Sequence, residues 1–290
     1  MSSGAEGQFR GSAVGSITRA AVPGVRRATL LTEDRVPIET VYHPSEAGPA
    51  ATVIVVAHGF TGSVDRPAVR RAARAFGRRA AVVTFSFRGH GGSGGRSTVG
   101  DREVLDLAAA VRWARAWGHS RVVTVGFSMG GSVVLRHAAL YGEALVGRAE
   151  ARTEARIDAR TDAVAAVSAP ARWYYRGTAP MRRLHWVVTR PVGRAVGRYG
   201  FRTRIHPREW DPVPLSPVEA VPLIAPTPLL VVHGDRDPYF PLDHPRMLAA
   251  AAAGTAELWL EPGMGHAENA ADEALLARIA DWLVPEQPAG

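Results

Sequence analysis

The chain has 290 residues, 46% apolar and 21% charged, which excludes a disordered, collagen-like or coiled-coil protein. Cysteine is absent, so disulfides, thiolate metal sites and cysteine nucleophiles are excluded. The net charge is +8, and every basic residue outside histidine is arginine, a bias typical of a GC-rich genome. Much of this charge is scattered along the chain, which argues against a nucleic-acid partner.

The N-terminal residues 1–24 are rich in Gly, Ser and Ala and contain no continuous apolar stretch of the kind found in a secretory signal. No apolar run in the chain approaches the ~20 residues that a membrane-spanning helix needs. We therefore expect a flexible N-terminal tail on a cytoplasmic protein.

Strand-like and helix-like segments alternate along the rest of the chain. A predicted hairpin, 28–32 and 36–42, comes first, and β-branched or apolar runs then predict buried strands. Those strands cover residues 52–57, 81–87, 121–127, 163–168, 229–233 and 256–260. Helical periodicity predicts helices over 67–76, 101–117, 129–141 and 270–283.

This alternation predicts an α/β fold with a mostly parallel central sheet of about eight strands and helices on both faces. The core would comprise residues 25–170 and 226–290, with residues 171–225 inserted as a small helical cap. Residues 148–162 form a quasi-repeat of Ala-Arg-x-Glu/Asp units, which we interpret as an exposed low-complexity insertion. In a parallel sheet of this kind, ligands bind outside the carboxyl ends of the strands.

Ser128 lies in the sequence Gly126-Phe127-Ser128-Met129-Gly130, between a predicted buried strand and a predicted helix. A Gly-x-Ser-x-Gly at such a junction is typical of a nucleophile elbow, a tight turn that lifts the serine hydroxyl out of the sheet. The amides at the start of the following helix would favour negative charge developing beside the serine. Ser128 is therefore the candidate nucleophile.

A serine nucleophile needs a base and an acid that orients it. His266 follows the last predicted strand and is the candidate base. Two acids, Asp235 and Asp237, follow the strand at 229–233, and their position alone leaves both open. The backbone amides of Phe60, just after the strand at 52–57, and of Met129 are the candidate oxyanion-hole donors. No spacing of His, Asp and Glu indicates a metal site.

Taken together, these motifs resemble the α/β-hydrolase superfamily. The resemblance covers residues 52–283 and also includes Arg88-Gly89-His90-Gly91 with Ser93. The family usually places its acid three residues after the glycine of the 233–237 motif, so the resemblance implies a triad of Ser128, Asp237 and His266 with no metal or organic cofactor. Members with an aspartate nucleophile are excluded, because serine occupies the elbow.

The cap is distinguished by its arginines, since residues 171–208 contain no acid. Apolar residues recur every three to four positions from Met181 to Tyr199, which predicts one amphipathic helix with an arginine-rich opposite side. Three interpretations remain open: a lid over an acyl pocket, a basic helix that contacts an anionic membrane or a phosphate-bearing substrate, and a packed helix with a solvated arginine face.

The predicted function is a serine hydrolase that cleaves a carboxylic ester, lactone or thioester of a small-molecule acyl substrate. An acyltransferase, a perhydrolase or a lyase would use the same triad, and these activities remain alternatives. A non-catalytic binding protein of the same fold is disfavoured, because every triad position holds a competent residue.

Overall fold

The computed structural model describes residues 24–48, 50–143 and 157–285. Within them, eight strands form a single sheet in the order β1-β2-β4-β3-β5-β6-β7-β8. The strands are β1 Arg26–Leu31, β2 Pro37–His43, β3 Thr52–Ala57, β4 Ala81–Phe85, β5 Arg121–Phe127, β6 Val164–Val167, β7 Leu229–Gly234 and β8 Ala256–Glu261. β1, β2 and β4 pair antiparallel and every other neighbouring pair is parallel, which confirms the predicted fold class.

Helices cover both faces of the sheet. They are α1 Pro67–Gly77, α2 Glu103–Ala116, α3 Met129–Tyr141, α4 Ala179–Thr189, α5 Pro191–Gly200, α6 Pro217–Ala220, α7 Asp243–Ala251, α8 Ala267–Ala270 and α9 Glu273–Leu283. A 3₁₀ turn, Val221–Leu223, follows α6.

Two apolar cores flank the sheet, and the side chains of β3 alternate between them. Val53 and Val55 point into the core formed with α2, α3 and α7. Ile54 and Val56 point into the core formed with α1 and α9. Burial on both faces explains why the central strands are continuous β-branched runs and not alternating polar and apolar ones.

Two predicted elements are shorter in the structure. β4 ends at Phe85 instead of residue 87, because the amides of Phe87 and Arg88 donate to the side chains of His58 and Asp106 and not to a neighbouring strand. The helix predicted over 270–283 is α9 and begins later, at Glu273, since Asp272 caps it by accepting a hydrogen bond from the Leu275 amide at 2.8 Å.

The single cap helix predicted from Met181 to Tyr199 is wrong. The chain leaves the helical region at Arg190 (φ −95°, ψ 140°), and a new helix starts at Pro191. Proline disfavours a helical conformation in the residue before it, and its fixed φ suits the first position of a helix. The apolar residues before and after this break therefore face different directions.

The quasi-repeat at 148–162 is only partly visible, because residues 144–156 lie outside the described ranges, as do residues 1–23 of the predicted tail. The part that is described is exposed at Ile157 and Asp158 but is not exposed throughout, contrary to expectation. Ala159 and Thr161 are buried, and the Asp162 carboxylate accepts hydrogen bonds from the Val122 amide and from Arg115.

No helix in the described ranges combines the length and the apolar character needed to cross a bilayer.

Candidate active site

Ser128 occupies a strained turn between β5 and α3. Its φ is +52° and its ψ −113°, a conformation that non-glycine residues rarely adopt. The two flanking glycines are required by space. A Cβ at Gly126 would overlap the main chain of Gly130, and a Cβ at Gly130 would overlap the main chain of Ala57. The turn therefore holds the hydroxyl at the carboxyl edge of the sheet, with the N-terminus of α3 directly behind it.

His266 brings its imidazole to this hydroxyl from the loop between β8 and α8. Its Nε2 lies 2.8 Å from Ser128 Oγ, and its Nδ1 lies 2.7 Å from Asp237 Oδ2. Because a carboxylate only accepts, Nδ1 carries the proton and Nε2 is left to accept from the serine. The ring stacks on Tyr239, with centroids 4.3 Å apart, which fixes its plane.

Asp237 lies in the turn after β7 and is almost fully buried. Its Oδ1 accepts hydrogen bonds from the amides of Tyr239 and Phe240 at 2.8 and 3.1 Å. Burial raises the pKa of this carboxyl, but the hydrogen bond and the charge interaction with His266, together with the two amide donors, outweigh it and leave the pKa below its ordinary value. The carboxylate is therefore ionised opposite the imidazole.

Asp235, the other acid that the sequence left open, makes a different contact. It is exposed, and its Oδ1 accepts a hydrogen bond from the Gly263 amide at 2.6 Å. It thus ties the turn after β7 to the loop that carries His266, without touching the imidazole itself.

The loop after β3 emerges beside the elbow, because β3 and β5 are neighbours and Ala57 pairs with Gly126. It brings Phe60 to the same cavity wall as Met129, next to Ser128. Neither the Phe60 nor the Met129 amide has a hydrogen-bond acceptor among the residues that the structure describes. These two amides are therefore available to an acceptor that enters the cavity.

His58 holds this loop in place as a neutral ring. Its Nδ1 donates to Gly59 O at 2.7 Å, and its Nε2 accepts from the Phe87 amide at 3.0 Å. Complete burial lowers the pKa of His58 to about 3, so the ring stays uncharged across the ordinary pH range.

Glu268 is a supporting residue that sequence reasoning missed. Its buried carboxylate accepts a hydrogen bond from the Gly59 amide at 2.9 Å, linking the loop of His266 to the loop of Phe60. Burial raises the pKa of Glu268. Arg71 fixes the same segment from α1 by donating to the carbonyl oxygens of Glu268 and Ala271. The available signal was an acid two residues after the candidate base.

A cavity of about 230 Å³ lies over Ser128, roofed by the cap. Met181, Leu184 and Val188 of α4 face into it, while Phe60 and Met129 form its floor. Aromatic side chains complete the walls: Trp173, Tyr174, Tyr175, Trp210 and Phe240. Four arginines also line it: Arg172, Arg176, Arg194 and Arg208. Ser128 thus lines a largely apolar pocket.

The cap is anchored to the sheet domain by hydrogen bonds on both sides of the cavity. Trp210 Nε1 donates to Thr98 O at 2.7 Å, and Thr178 Oγ1 donates to Tyr239 O at 2.9 Å. The second bond connects the start of α4 to the segment that holds Asp237.

Within the described ranges, no group of three or more His, Asp or Glu side chains is arranged to bind a metal ion.

Solved structures of similar fold include several esterases. The Pyrococcus furiosus esterase Pf2001 matches with a TM-score of 0.66 and 20% identity, over 89% of this chain and 91% of that one. XC6422 from Xanthomonas campestris, described as an α/β serine hydrolase without lid, matches at 0.60 and 20%, over 93% and 100%. Est1E from Butyrivibrio proteoclasticus, solved with ferulic acid, matches at 0.55 and 17%, over 88% and 96%.

At these identities the structural matches establish the fold alone. No curated protein sequence matches this chain significantly. A family model does match: the alpha/beta hydrolase family covers residues 54–279, which include the elbow, both acids and the candidate base. The resemblance noted in the motifs is thereby confirmed, and this chain belongs to the alpha/beta hydrolase family.

Proposed function

We propose that the protein is a serine hydrolase that cleaves a carboxylic ester, lactone or thioester through an acyl-enzyme intermediate. The observation that carries this proposal is the unbroken series of two hydrogen bonds, Ser128 to His266 at 2.8 Å and His266 to Asp237 at 2.7 Å. The serine at one end of this series opens onto the apolar cavity, where an acyl group can be bound.

In the acylation step, Ser128 Oγ attacks the carbonyl carbon while its proton passes to His266 Nε2. The negative charge that develops on the carbonyl oxygen is stabilised by the Phe60 and Met129 amides and by the N-terminus of α3. Removing one such donor typically costs ~10²–10³ in rate. Asp237 keeps the imidazole in the required tautomer and stabilises the imidazolium.

Collapse of the tetrahedral intermediate expels the alcohol or thiol, which takes the proton from His266 Nε2. Water then enters, gives a proton to the same nitrogen and attacks the acyl carbon. The second intermediate collapses as Ser128 Oγ leaves and recovers its proton. No metal or organic cofactor is needed for any of these steps, since the protons move between Ser128, His266, leaving group and water.

The cavity supports a substrate with an apolar acyl group of short to medium length. Its volume of about 230 Å³ falls below the ~300–1,000 Å³ of pockets for drug-sized ligands. Leu184 and Val188 of the cap line this cavity, so an acyl chain too long for it would meet the cap.

The proposal is tested by hydrolysis of p-nitrophenyl esters of increasing acyl length. Ser128→Ala should abolish turnover of every ester. Ser132→Ala is the matched control, because Ser132 also lines the cavity but its hydroxyl donates to Met129 O at 2.7 Å and contacts no histidine. Turnover that survives in Ser128→Ala would contradict the proposal.

A further inference from the structure

The outer surface of α4 and α5 carries large apolar side chains that the described part of the chain leaves uncovered. Val192, Val196 and Tyr199 recur at i, i+4 and i+7 on α5 and are 66%, 42% and 78% exposed. This spacing places them on one stripe of the helix. Trp186 of α4 and Phe201, just after α5, are exposed as well. We refer to these five residues as the cap face.

Glycine packing holds the cap face outward. Gly193 and Gly197 are the buried residues of α5. A Cβ at Gly193 would overlap the main chain of Trp186 and Val187, so α5 lies directly against α4 through this side. The apolar stripe is about a third of a turn around α5 from the glycines. The same contact places the start of α5 beside the main chain of Trp186 in α4.

The chain segment that carries the cap face has charge of one sign. Residues 171–208 contain ten arginines and no acid, which exceeds the chain's net charge of +8, so the remaining residues together are slightly acidic. Some of these arginines serve the fold: Arg172 pairs with Asp243, and Arg194 donates to Thr189 O.

Three exposed arginines of the cap helices have no such partner. Two of them, Arg183 and Arg190, lie three residues before and four residues after Trp186, on the same side of α4. Arg183, Arg190 and Arg198 are exposed, and none forms an ion pair within the described ranges. The Arg198 guanidinium lies over the ring of Tyr199, 5.5 Å from its centroid. Exposed cations and exposed apolar side chains thus share the outer surface of α4 and α5.

We propose that the cap face docks on a membrane surface that contains anionic phospholipids. Valine, tryptophan and tyrosine side chains enter the boundary between headgroups and acyl chains, while the exposed arginines bind lipid phosphates. A second copy of the chain fits poorly, because an isologous contact would bring two arginine-rich faces together. A nucleic acid would bind the arginines but leave the valines without a role.

The test is sedimentation of the full-length protein with vesicles of phosphatidylcholine alone or mixed with phosphatidylglycerol. Binding is expected only to the mixed vesicles and should weaken as salt rises. Arg183→Gln/Arg190→Gln should weaken it about 25-fold, at roughly fivefold per arginine. Arg74→Gln/Arg246→Gln removes the same charge from exposed arginines on α1 and α7 and should change binding less than about threefold.

A second variant tests the apolar contribution. Val192→Ser/Tyr199→Ser should weaken binding to mixed vesicles by about tenfold or more. The proposal is overturned if Arg183→Gln/Arg190→Gln and Arg74→Gln/Arg246→Gln weaken vesicle binding equally. It is likewise overturned if Val192→Ser/Tyr199→Ser leaves vesicle binding unchanged. It is also overturned if the protein binds a DNA duplex more tightly than the mixed vesicles, or forms a dimer that this exchange dissociates.

Docking is separable from the proposed hydrolysis. Ser128→Ala should bind vesicles like the unmodified protein, and Arg183→Gln/Arg190→Gln should hydrolyse a soluble ester at the unmodified rate, since neither arginine lines the cavity. The second result also shows that this variant is folded. A failure of the hydrolase proposal would leave the vesicle result standing, and the reverse also holds.

Discussion

Asparagine at position 237 should disable the site, because its amide cannot serve both groups that the Asp237 carboxylate serves. Oδ1 of the carboxylate accepts from the amides of Tyr239 and Phe240, and Oδ2 accepts from His266. An asparagine that keeps the two amide bonds must turn its NH₂ group towards Nδ1 of His266. The ring proton then moves to Nε2, which can no longer accept the proton of Ser128.

For Nε2 of His266 to accept the serine proton, the side-chain amide at position 237 must take the opposite orientation, with its NH₂ group facing the amides of Tyr239 and Phe240. That orientation leaves two buried N–H groups without acceptors, each costing about 1–3 kcal/mol. The resulting penalty of roughly 2–6 kcal/mol corresponds to a loss of about 30-fold to 10⁴-fold in rate. Loss of the negative charge opposite the imidazolium moves the expected value towards the upper end, near the ~10⁴-fold typical of this exchange in serine triads.

The assay is kcat/KM for a p-nitrophenyl ester, with thermal unfolding measured in parallel to show that the variant is folded. Asp235→Asn is the matched control two residues away. Its side-chain oxygen can still accept from the Gly263 amide, so kcat/KM should stay within about threefold. The reasoning is refuted if Asp237→Asn keeps more than a tenth of the unmodified kcat/KM, or if Asp235→Asn loses as much.

Three further predictions follow from the geometry. Glu268→Gln keeps an acceptor for the Gly59 amide and should retain most of kcat/KM, whereas Glu268→Ala should lose about 10–100-fold. Equal kcat/KM values for the two variants would contradict a positioning role for Glu268. Burial lowers the pKa of His137 to about 3, so protonation favours unfolding as pH falls below the ordinary value of 6.5. His137→Phe should therefore flatten the acid-side fall in unfolding free energy by up to about 1.4 kcal/mol per pH unit, measured by urea denaturation, and an unchanged slope would count against it. Leu184→Trp should shift the preferred p-nitrophenyl ester to a shorter acyl chain, because Leu184 roofs the cavity; an unchanged preference would show that the acyl group binds elsewhere.

The strands and the elbow were predictable because local sequence determines them. A strand buried on both faces needs a run such as Thr52–Ala57, and the turn at Ser128 needs glycines where a Cβ would overlap main chain. The order of serine, acid and histidine then followed from the strands that precede them.

The cap could not be predicted to the same depth. The apolar period from Met181 to Tyr199 continues through Pro191, but the proline starts a second helix and turns Val192 and Tyr199 outward. Which face of each helix is buried depends on tertiary contacts, above all the glycine contact between α5 and α4.

The supporting contacts of the site depend on residues far apart in sequence. Glu268 reaches the amide of Gly59, 209 positions away, and no local pattern encodes that meeting. The choice between Asp235 and Asp237 likewise depended on the turn after β7, where the amides of Tyr239 and Phe240 orient one carboxylate towards His266.

The most direct test of the central claim is to locate the nucleophile with a fluorophosphonate. The labelled protein is cleaved after arginine and the modified fragment is sequenced by mass spectrometry; fragment 122–136 contains both Ser128 and Ser132, so fragment ions must separate them. The account predicts a single adduct on Ser128 that persists in Ser132→Ala and disappears in Ser128→Ala. An adduct on any other residue, or no adduct on the folded protein, would contradict it.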